Sequence, residues 1–406
     1  MKVVIVSSQL TYVPENYRSF YRTLLEHDAD HDVVGLILLK NVDFQVLKSI
    51  MGLSFIGAKM ITKHLVQNLL NIPKNENEKL FIDSGRWVKS FDSMNDPKAI
   101  QFIKDNPDRY VLKPSGNTPS IDKSLLLLSQ EEDGKDLLEL LEQNKKVWQK
   151  KAPTFILQKY INGVEVAVGT FFNGHDFIYP INVNFEHKRI FSGNIGPFCG
   201  EMGTLMYWSS PNNLFKATLE KMLPKLKASG YVGYIDINCI VNGKGIYPLE
   251  FTSRFGYPTI NIQLEGITMP TGEWLYRLAK GEDFEIRTKR GFQIGVLLVV
   301  ESMFSDDNNS EVVNLYKDLA VILKNPNNLD GIHIDSIRND NGIWRIAGVS
   351  GGVLVVTGSG TTVSDARHQV YGRIKNIIVP NMFYRTDIGA SWAVDSDRLH
   401  TWGYLR

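Results

Sequence analysis

The chain has 406 residues, of which 43% are hydrophobic and 22% are charged, which excludes a disordered protein and indicates two or three folded domains. Its 45 Lys and Arg residues balance 44 Asp and Glu residues, so the basic excess typical of nucleic-acid-binding proteins is missing. Two cysteines favour a reducing compartment, and no apolar run reaches the roughly 18 residues that span a membrane. We therefore expect a cytoplasmic protein with neither nucleic-acid nor membrane partners.

The first predicted unit is a short α/β arrangement. Apolar residues at 3–6 predict a buried strand, the spacing at 17–25 predicts a helix, and residues 33–39 predict a second strand. The pattern changes near residue 57, because residues 59–70 have helical spacing. We predict an N-terminal α/β domain over residues 1–57.

Strands dominate the predicted central domain, residues 58–290. Asn173-Gly174 lies between two apolar runs and predicts a hairpin, because this dipeptide adopts the tight turns that join antiparallel strands. The predicted strands are 110–113, 154–158, 164–172, 175–184, 232–241 and 246–251, and the predicted helices are 96–104, 135–150 and 213–228.

A second strand-rich domain is predicted over residues 291–406. Its apolar runs are short and are separated by polar and glycine-rich segments, and a helical pattern follows them. The predicted strands are 293–300, 332–337, 344–348 and 353–357, and the predicted helix is 364–377. The predicted fold class is α/β (α+β).

Two features of the central domain are compatible with a nucleotide site. Lys113 ends a predicted strand, where it can reach a phosphate or simply lie with its stem along the sheet edge. The strand at 154–158 leads through a linker to Glu165 on the next strand. The linker backbone could bind an adenine and Glu165 a ribose, although an ordinary β-meander has the same pattern.

Asp236 and Glu250 lie on two strands that a tight turn joins. This arrangement places both carboxylates close enough to share a divalent cation, and Mg²⁺ prefers one or two carboxylates together with phosphate oxygens. A buried carboxylate without a partner is costly. The acids therefore indicate either a metal site or a salt bridge to Arg254.

The order of these features resembles the ATP-grasp enzymes. Lys59, on a predicted helix, comes first in the chain and is followed by Lys113 at the end of a strand. The linker after the strand at 154–158, then Glu165, and then the pair Asp236 and Glu250 follow in that order. At this point the chain resembles glycinamide ribonucleotide synthetase (phosphoribosylamine–glycine ligase) over roughly residues 57 to 390. The stretches that carry the resemblance are Gly57-Ala-Lys59-Met-Ile-Thr-Lys63, Glu186-His187-Lys188-Arg189, Gly196-Pro-Phe-Cys-Gly-Glu-Met-Gly203, Leu249-Glu-Phe-Thr-Ser-Arg-Phe-Gly-Tyr-Pro258, Gly352-Val-Leu-Val-Val-Thr-Gly-Ser-Gly360 and Phe383-Tyr-Arg-Thr-Asp-Ile-Gly389.

The resemblance implies an ATP-grasp fold with a short N-terminal α/β unit and a C-terminal β-rich domain. It also implies an ADP-forming ligase that joins a carboxylate to an amine through an acyl phosphate, with ATP and Mg²⁺ (or Mn²⁺). The residues implied for ATP are Lys59, Lys113, Gln158, Lys159, Tyr160, Ile161 and Glu165, and those for the metal are Glu250, Asp236 and Thr252. Arg254, His187, Lys188 and Arg189 are implied to anchor carboxylate and acyl phosphate, and Gly196, Gly200, Met202 and Gly203 to form a substrate loop.

Four positions depart from the family pattern. The segment 7–14 lacks the glycine-rich turn of the relatives, and 114–119 is short of glycine. Thr252 replaces an asparagine, and Glu201 replaces a loop glycine.

Three functions remain open at this stage. They are phosphoribosylamine–glycine ligation in purine synthesis, a ligase of the same mechanism that uses another amine, and a catalytically degenerate nucleotide-binding protein. The expected partners are small-molecule carboxylate and amine substrates, and the expected assembly is a monomer or a homodimer.

Overall fold

The computed structural model describes residues 2–8, 32–39, 88–91, 97–115, 126–151, 154–304, 310–347 and 351–406. The first two segments are the strands β1 (Lys2–Ser8) and β2 (Asp32–Leu39), which pair in parallel. They correspond to the two strands predicted for the N-terminal unit, whereas the helices predicted at 17–25 and 59–70 lie outside the described residues. Among the described residues, no helix is both long and apolar enough to cross a membrane.

The remaining elements alternate between strands and short helices. The strands are β3 (Val88–Phe91), β4 (Tyr110–Ser115), β5 (Leu127–Leu128), β6 (Thr154–Lys159), β7 (Val164–Asn173), β8 (Phe177–Glu186), β9 (Arg189–Phe191), β10 (Ile195–Phe198), β11 (Gly203–Ser209), β12 (Val232–Asn242), β13 (Gly245–Thr252), β14 (Phe292–Val299), β15 (Ala320–Leu323), β16 (Ile332–Ile334), β17 (Ile337–Asp340), β18 (Ile343–Ile346), β19 (Gly352–Gly360) and β20 (Ile377–Ile378). The α-helices are α1 (Pro97–Asp105), α2 (Lys135–Lys151), α3 (Asn213–Ala217), α4 (Leu223–Ser229), α5 (Thr259–Gly266), α6 (Thr271–Ala279), α7 (Ser310–Tyr316), α8 (Val363–Ile374) and α9 (Trp392–Thr401).

Two sheets organise the part of the molecule that carries the predicted site. The smaller has the strand order β3-β6-β4-β5, and α1 and α2 contribute to its apolar core with side chains such as Ile103 and Leu137. The larger, within the described residues, has eight strands in the order β13-β12-β7-β8-β11-β14-β19-β16. Because β14, β19 and β16 follow residue 290 in the chain, residues on both sides of the predicted domain boundary share this sheet.

Three predicted elements end differently in the structure. The helix predicted at 213–228 is divided into α3, a 3₁₀ turn (Leu219–Met222) and α4, because Thr218 has non-helical backbone angles. The helix predicted at 364–377 ends at Ile374, and the last of its predicted residues begins β20, which pairs with β15. The strand predicted at 332–337 separates into β16 and the start of β17.

The two faces of the large sheet have different chemistry because successive side chains on a strand point to opposite faces. On β12, Ile235 and Ile237 belong to the main apolar core, whose helix contributions include α3 and α4. Asp236 and Asn238 point to the other face and are also buried. This polar face carries the predicted site.

Candidate active site

Strand register brings the predicted acids onto neighbouring positions of the polar face. Asp236 lies opposite Thr252 on β13, and Asn238 lies opposite Glu250. On its other side, β12 pairs with β7, where Glu165 lies opposite Ile240. Asp236 and Glu250 are therefore one step apart along the β12–β13 hairpin, as the sequence predicts.

Lys188 lies at the centre of a cluster of carboxylates. Its Nζ is 2.8 Å from Glu165 Oε1, 3.1 Å from Glu186 Oε2 and 4.0 Å from Glu250 Oε1. Burial disfavours the charged form of Lys188, but the carboxylates outweigh burial and hold its pKa well above its ordinary value. A half-buried, charged ammonium beside the acid hairpin is suited to meet phosphate or carboxylate oxygens.

Two buried oxygen atoms of β12 lack a hydrogen-bond donor among the described residues. They are Asp236 Oδ1 and Asn238 Oδ1, on side chains that are 2% and 3% exposed. The amide nitrogen of Asn238 donates to Glu165 (3.1 Å) and Glu186 (3.2 Å). Burial raises the pKa of Asp236 to about 7, and the charge of Glu186 adds to the rise. Buried acceptors without donors are rare in folded proteins and point to a missing group.

A strip of amides and a phenol continues the polar face away from Lys188. The Asn182 amide nitrogen donates to Asn184 Oδ1 (2.8 Å) and to the Tyr234 hydroxyl (3.0 Å). Gly169 lies beneath this strip, where a Cβ atom would come within 2.4 Å of the Tyr234 hydroxyl and 2.6 Å of Asp236 Cβ. Glycine at this position therefore leaves room for the hydroxyl and the carboxylate.

The β9–β10 hairpin rises from the polar face directly after Lys188. The Arg189 guanidinium lies 3.7 Å from the centre of the Phe198 ring, and its Nη1 donates to the Gly196 carbonyl (2.5 Å). Gly196 has a φ of +82°, and a Cβ atom there would lie 2.5 Å from the Phe191 ring. Arg189, predicted to anchor substrate, thus makes contacts inside the hairpin.

A C-terminal segment holds this hairpin in place. The fully buried Arg385 pairs with Asp387 (2.7 Å), and its Nη1 donates to the Arg189 carbonyl (2.9 Å). Asp387 accepts from the Gly193 amide (2.8 Å). Burial raises the pKa of the Asp387 carboxyl, but hydrogen bonds from Arg385 and Gly193 outweigh burial and hold it at about 2. The hairpin is therefore tied to the residues of the C-terminal motif by permanently charged groups.

The predicted substrate loop runs back over Lys188. The Cys199 amide donates to the Lys188 carbonyl (2.8 Å), and the Met202 amide donates to the His187 carbonyl (2.9 Å). Met202 is fully buried, and Gly203 begins β11, whereas a Cβ atom on Gly200 would meet nothing within 4 Å.

His187 and Arg254 lie at opposite extremes of burial. Burial lowers the pKa of His187 to about 4, and the charge of Arg385 adds to the lowering, so the imidazole is neutral at pH 7. Its Nδ1 has no hydrogen-bond partner among the described residues. Arg254 is exposed, and its Nη1 donates to the Phe255 carbonyl (2.9 Å).

The residues predicted to contact ATP from the other side lie in the smaller sheet. Lys113, on β4, is half-buried, and Gln158, on β6, is buried. The Lys159 ammonium pairs with Asp108, and the Tyr160 amide donates to the Arg109 carbonyl (2.7 Å). The half-buried Ile161 follows them, and Lys59 lies outside the described residues.

The structure adds residues that the sequence reasoning did not assign. Glu186, Asn238 and Tyr234 lie among the predicted acids, and Arg385 supports the hairpin. Tyr234 and Asn238 could have been found from the sequence, because they alternate with Asp236 at every second position of β12 and a polar residue at every second position marks one face of a strand. Nothing local in the sequence indicates the contact between Arg385 and a carbonyl almost two hundred residues earlier.

Comparison with known proteins identifies the central part of the chain. Residues 75–260 match the protein family described as the ATP-grasp (A) domain of phosphoribosylglycinamide synthetase. The phosphoribosylamine–glycine ligase of Listeria innocua serovar 6a is 28% identical over 249 residues, which cover 58% of this chain and 56% of the relative. The enzyme of the same name from Mycobacterium leprae is 27% identical over 257 residues. The matched region thus spans little more than half the length of these relatives.

Solved structures share the fold over nearly the whole chain. The crystal structure of phosphoribosylamine–glycine ligase from Thermotoga maritima superposes with a TM-score of 0.66 at 18% identity, covering 96% of this chain and 100% of that one. An L-amino acid ligase from Bacillus licheniformis gives a TM-score of 0.52 at 12% identity, covering 93% and 98%. These structural matches confirm the predicted fold, and the matches of residues 75–260 and of the two relatives confirm the resemblance to the glycinamide ribonucleotide synthetase family.

Proposed function

We propose that this chain, whose residues 75–260 match the ATP-grasp (A) domain of phosphoribosylglycinamide synthetase, is an ATP- and Mg²⁺-dependent ligase that joins a carboxylate to an amine. The favoured reaction is of the phosphoribosylamine–glycine ligase type, a step of purine synthesis. The observation that carries the proposal is the position of Lys188 among Glu165, Glu186 and Glu250 on the polar face.

The donor set of the β12–β13 hairpin fits a divalent cation. Asp236 Oδ1 is buried without a donor, Glu250 lies nearby with its carboxylate 45% exposed, and Thr252 adds a hydroxyl oxygen. No group of three or more His, Cys, Asp or Glu side chains suited to a metal occurs among the described residues. Mg²⁺ is commonly held by one or two carboxylates together with substrate phosphates, so this set suits a metal that arrives with ATP. When bound, the metal would neutralise charge on the triphosphate.

Each protein group has a role that follows from its position. Lys113 supplies a point charge for the triphosphate from the smaller sheet, with Lys59 assigned there from the family motif, and Glu165 and the backbone of 158–161 bind the nucleoside. Lys188 exchanges its carboxylate partners for the oxygens of the phosphate that is transferred. Arg254, being exposed at the rim, meets the incoming carboxylate.

The chemistry needs little from the protein beyond position and charge. A substrate carboxylate oxygen attacks the γ-phosphorus of ATP, the bond to ADP breaks, and an acyl phosphate forms. The amine nitrogen then attacks the acyl carbon, phosphate leaves, and an amide results. The β9–β10 hairpin, tied down by Arg385, covers the cluster and keeps water from the acyl phosphate.

Product analysis tests the proposal. The purified chain is incubated with ATP, Mg²⁺ and a panel of amino acids and amines that includes phosphoribosylamine, and ADP and the new amide are measured. ADP formed only with glycine and phosphoribosylamine supports the favoured reaction, and another pair identifies a different ligase. No ADP with any pair would overturn the assignment as a ligase.

A further inference from the structure

We infer that Glu201 and the side-chain oxygen of Asn238 bind the ammonium group of an amino-acid substrate, beside Lys188. The inference rests on the proposed function and deepens it, because it assigns the groups that distinguish an amino acid from a simple carboxylic acid.

Glu201 is buried between the substrate loop and the polar face. Its side chain is 8% exposed, and Thr204 donates a hydrogen bond to its Oε1. In the part of the chain that the structure describes, this is the one hydrogen bond of the Glu201 carboxyl. Burial raises the pKa of Glu201 well above its ordinary value, and the charge of Glu186 adds to the rise. The charge of Lys188 lowers this pKa in part, but burial and the neighbouring acids outweigh it.

Asn238 provides a second acceptor in the same cluster. Both bonds from its amide nitrogen go to carboxylates, Glu165 and Glu186, while Oδ1 has no donor among the described residues. Glu186 connects the two acceptors, because it accepts from Asn238 and also acts electrostatically on Glu201. Asn238 is 3% exposed, and a buried amide oxygen without a donor among the described residues indicates that a hydrogen-bond donor is missing at this point.

The missing group is best matched by a primary ammonium. An ammonium has three N–H donors and no acceptor, so it satisfies a carboxylate and an amide oxygen together. An anion at these two acceptors would meet two hydrogen-bond acceptors and the negative charge of Asp236 and Glu186. A divalent cation, which takes about six oxygen ligands, would need water or phosphate oxygens beside these two acceptors, whereas a primary ammonium satisfies both without them.

The position of the two acceptors relative to the Lys188 ammonium favours an α-amino acid as the ligand. Glu186 Oε2 lies 3.1 Å from the Lys188 ammonium and also accepts from Asn238 at 3.2 Å. The donor-deficient acceptors therefore lie close to a fixed positive charge. In an α-amino acid a single carbon separates the ammonium from the carboxylate, so one small zwitterion can place its carboxylate toward Lys188 and its ammonium toward Glu201.

Ligand binding to the protein saturated with Mg²⁺ and the β,γ-imido analogue of ATP tests the inference without any amine acceptor. Glycine and acetate are titrated by calorimetry into the wild type and the Glu201→Gln variant. We expect the wild type to bind glycine at least roughly tenfold more tightly than acetate, and Glu201→Gln to lose that preference while binding the nucleotide as before. Cys199→Ser, in the same loop and without change of charge, serves as the matched control and should keep the preference.

The outcomes separate the two proposals. An unchanged preference for glycine in Glu201→Gln would overturn this inference alone. The inference would also be overturned if the wild type bound Mn²⁺ in the absence of nucleotide and the variant did not, because Glu201 would then be a metal ligand. Failure of the wild type to bind the nucleotide analogue would instead overturn the proposed function. Glu201→Gly, which removes the carboxyl altogether, provides a second variant if Glu201→Gln does not fold, and it should also lose the preference.

Discussion

Two buried carboxylate clusters on the large sheet differ in how completely their charges are paired. In the first, the closed cluster, Glu265 is bound by Lys289 (3.0 Å), Arg373 (3.1 Å), Thr357 and Ser359. Burial raises the pKa of Glu265, but the charges of Arg373 and Lys289 outweigh burial and hold it at about 2. In the second, the open cluster of Glu165, Glu186, Glu201, Asp236, Glu250 and Lys188, one ammonium serves several acids.

The two clusters differ in how many partners each carboxylate has, and under the proposed function the closed cluster maintains the fold while the open cluster receives a ligand. The closed cluster joins α5 to β19 and α8, and its carboxylate has a partner for each oxygen. The open cluster leaves two oxygen atoms on β12 without donors among the described residues, and the pKa values of Glu201 and Asp236 are raised. Raised pKa values at unpaired acids are typical of functional sites. The predictions below test this distinction, from the largest expected effect to the smallest.

Glu250→Gln tests the open cluster at its most exposed acid. We expect ADP formation in the presence of both substrates to fall on the order of a thousandfold, because the proposed function makes Glu250 a charged ligand for the metal that accompanies ATP. The Tm should stay close to that of the wild type, since the Glu250 side chain is 45% exposed. Activity is measured by coupled ADP release at saturating Mg²⁺.

Glu282→Gln is the control for this variant, because Glu282 pairs with Arg277 at the surface. It should keep full activity. If Glu250→Gln retained near-normal ADP release, Glu250 would not be a metal ligand, and the contrast between the clusters would lose its main functional support.

Glu265→Gln tests the closed cluster. The pKa of Glu265 lies at about 2, below its ordinary 4.5, so the ionised form stabilises the fold above pH 4.5 and this contribution is lost as the pH falls toward 2. We expect the variant to lose about 3 kcal/mol of unfolding free energy at pH 7, and much less near pH 2. Nucleotide binding should persist in the folded variant. Thermal unfolding at both pH values provides the measurement, and an equal Tm at pH 7 would contradict the structural role.

The contents of the open cluster were only partly predictable from sequence. Asp236, Glu250 and Glu165 were identified because they occur at fixed places in an ordered series of strands, and the register confirms that Asp236 and Glu250 are one step apart. Lys188 was assigned from a family motif, whereas its three carboxylate partners depend on how β7, β8 and β13 come together. Pairing between distant strands is decided by tertiary packing, which local patterns do not contain.

The strands were predicted better than the short helices. Long apolar runs located β7, β12 and β14 to within a few residues, because both periodicity and flanking turns mark them. In contrast, α5 and α6 were not predicted, and the helix at 213–228 proved to be three pieces. Short helices are held by contacts with the rest of the fold rather than by their own propensity, so sequence patterns define them poorly.

Lys113→Ala extends the comparison to the smaller sheet, which the proposed function places across the nucleotide from the open cluster. We expect the dissociation constant of ATP to rise about tenfold, because one charged contact to a phosphate is lost. Lys104→Ala is the control, since Lys104 pairs with Glu142 on the surface of the same core. Calorimetry with Mg²⁺ and ATP supplies the measurement. An unchanged dissociation constant would mean that the Lys113 side chain only lies along the sheet.

Glu201→Gln gives the smallest expected effect and the sharpest contrast with Glu265→Gln. Because the folded protein raises the pKa of Glu201, the carboxyl destabilises the fold progressively as the pH rises above its ordinary value of 4.5, and below that value it is neutral in both states. The neutral glutamine should therefore raise the Tm at pH 8, on the order of 1–2 °C, and leave it unchanged at pH 4. The same exchange of acid for amide would thus stabilise the open cluster and destabilise the closed one. A lower Tm for Glu201→Gln at pH 8 would show that Glu201 is already paired in the ligand-free protein, and the two clusters would then be alike.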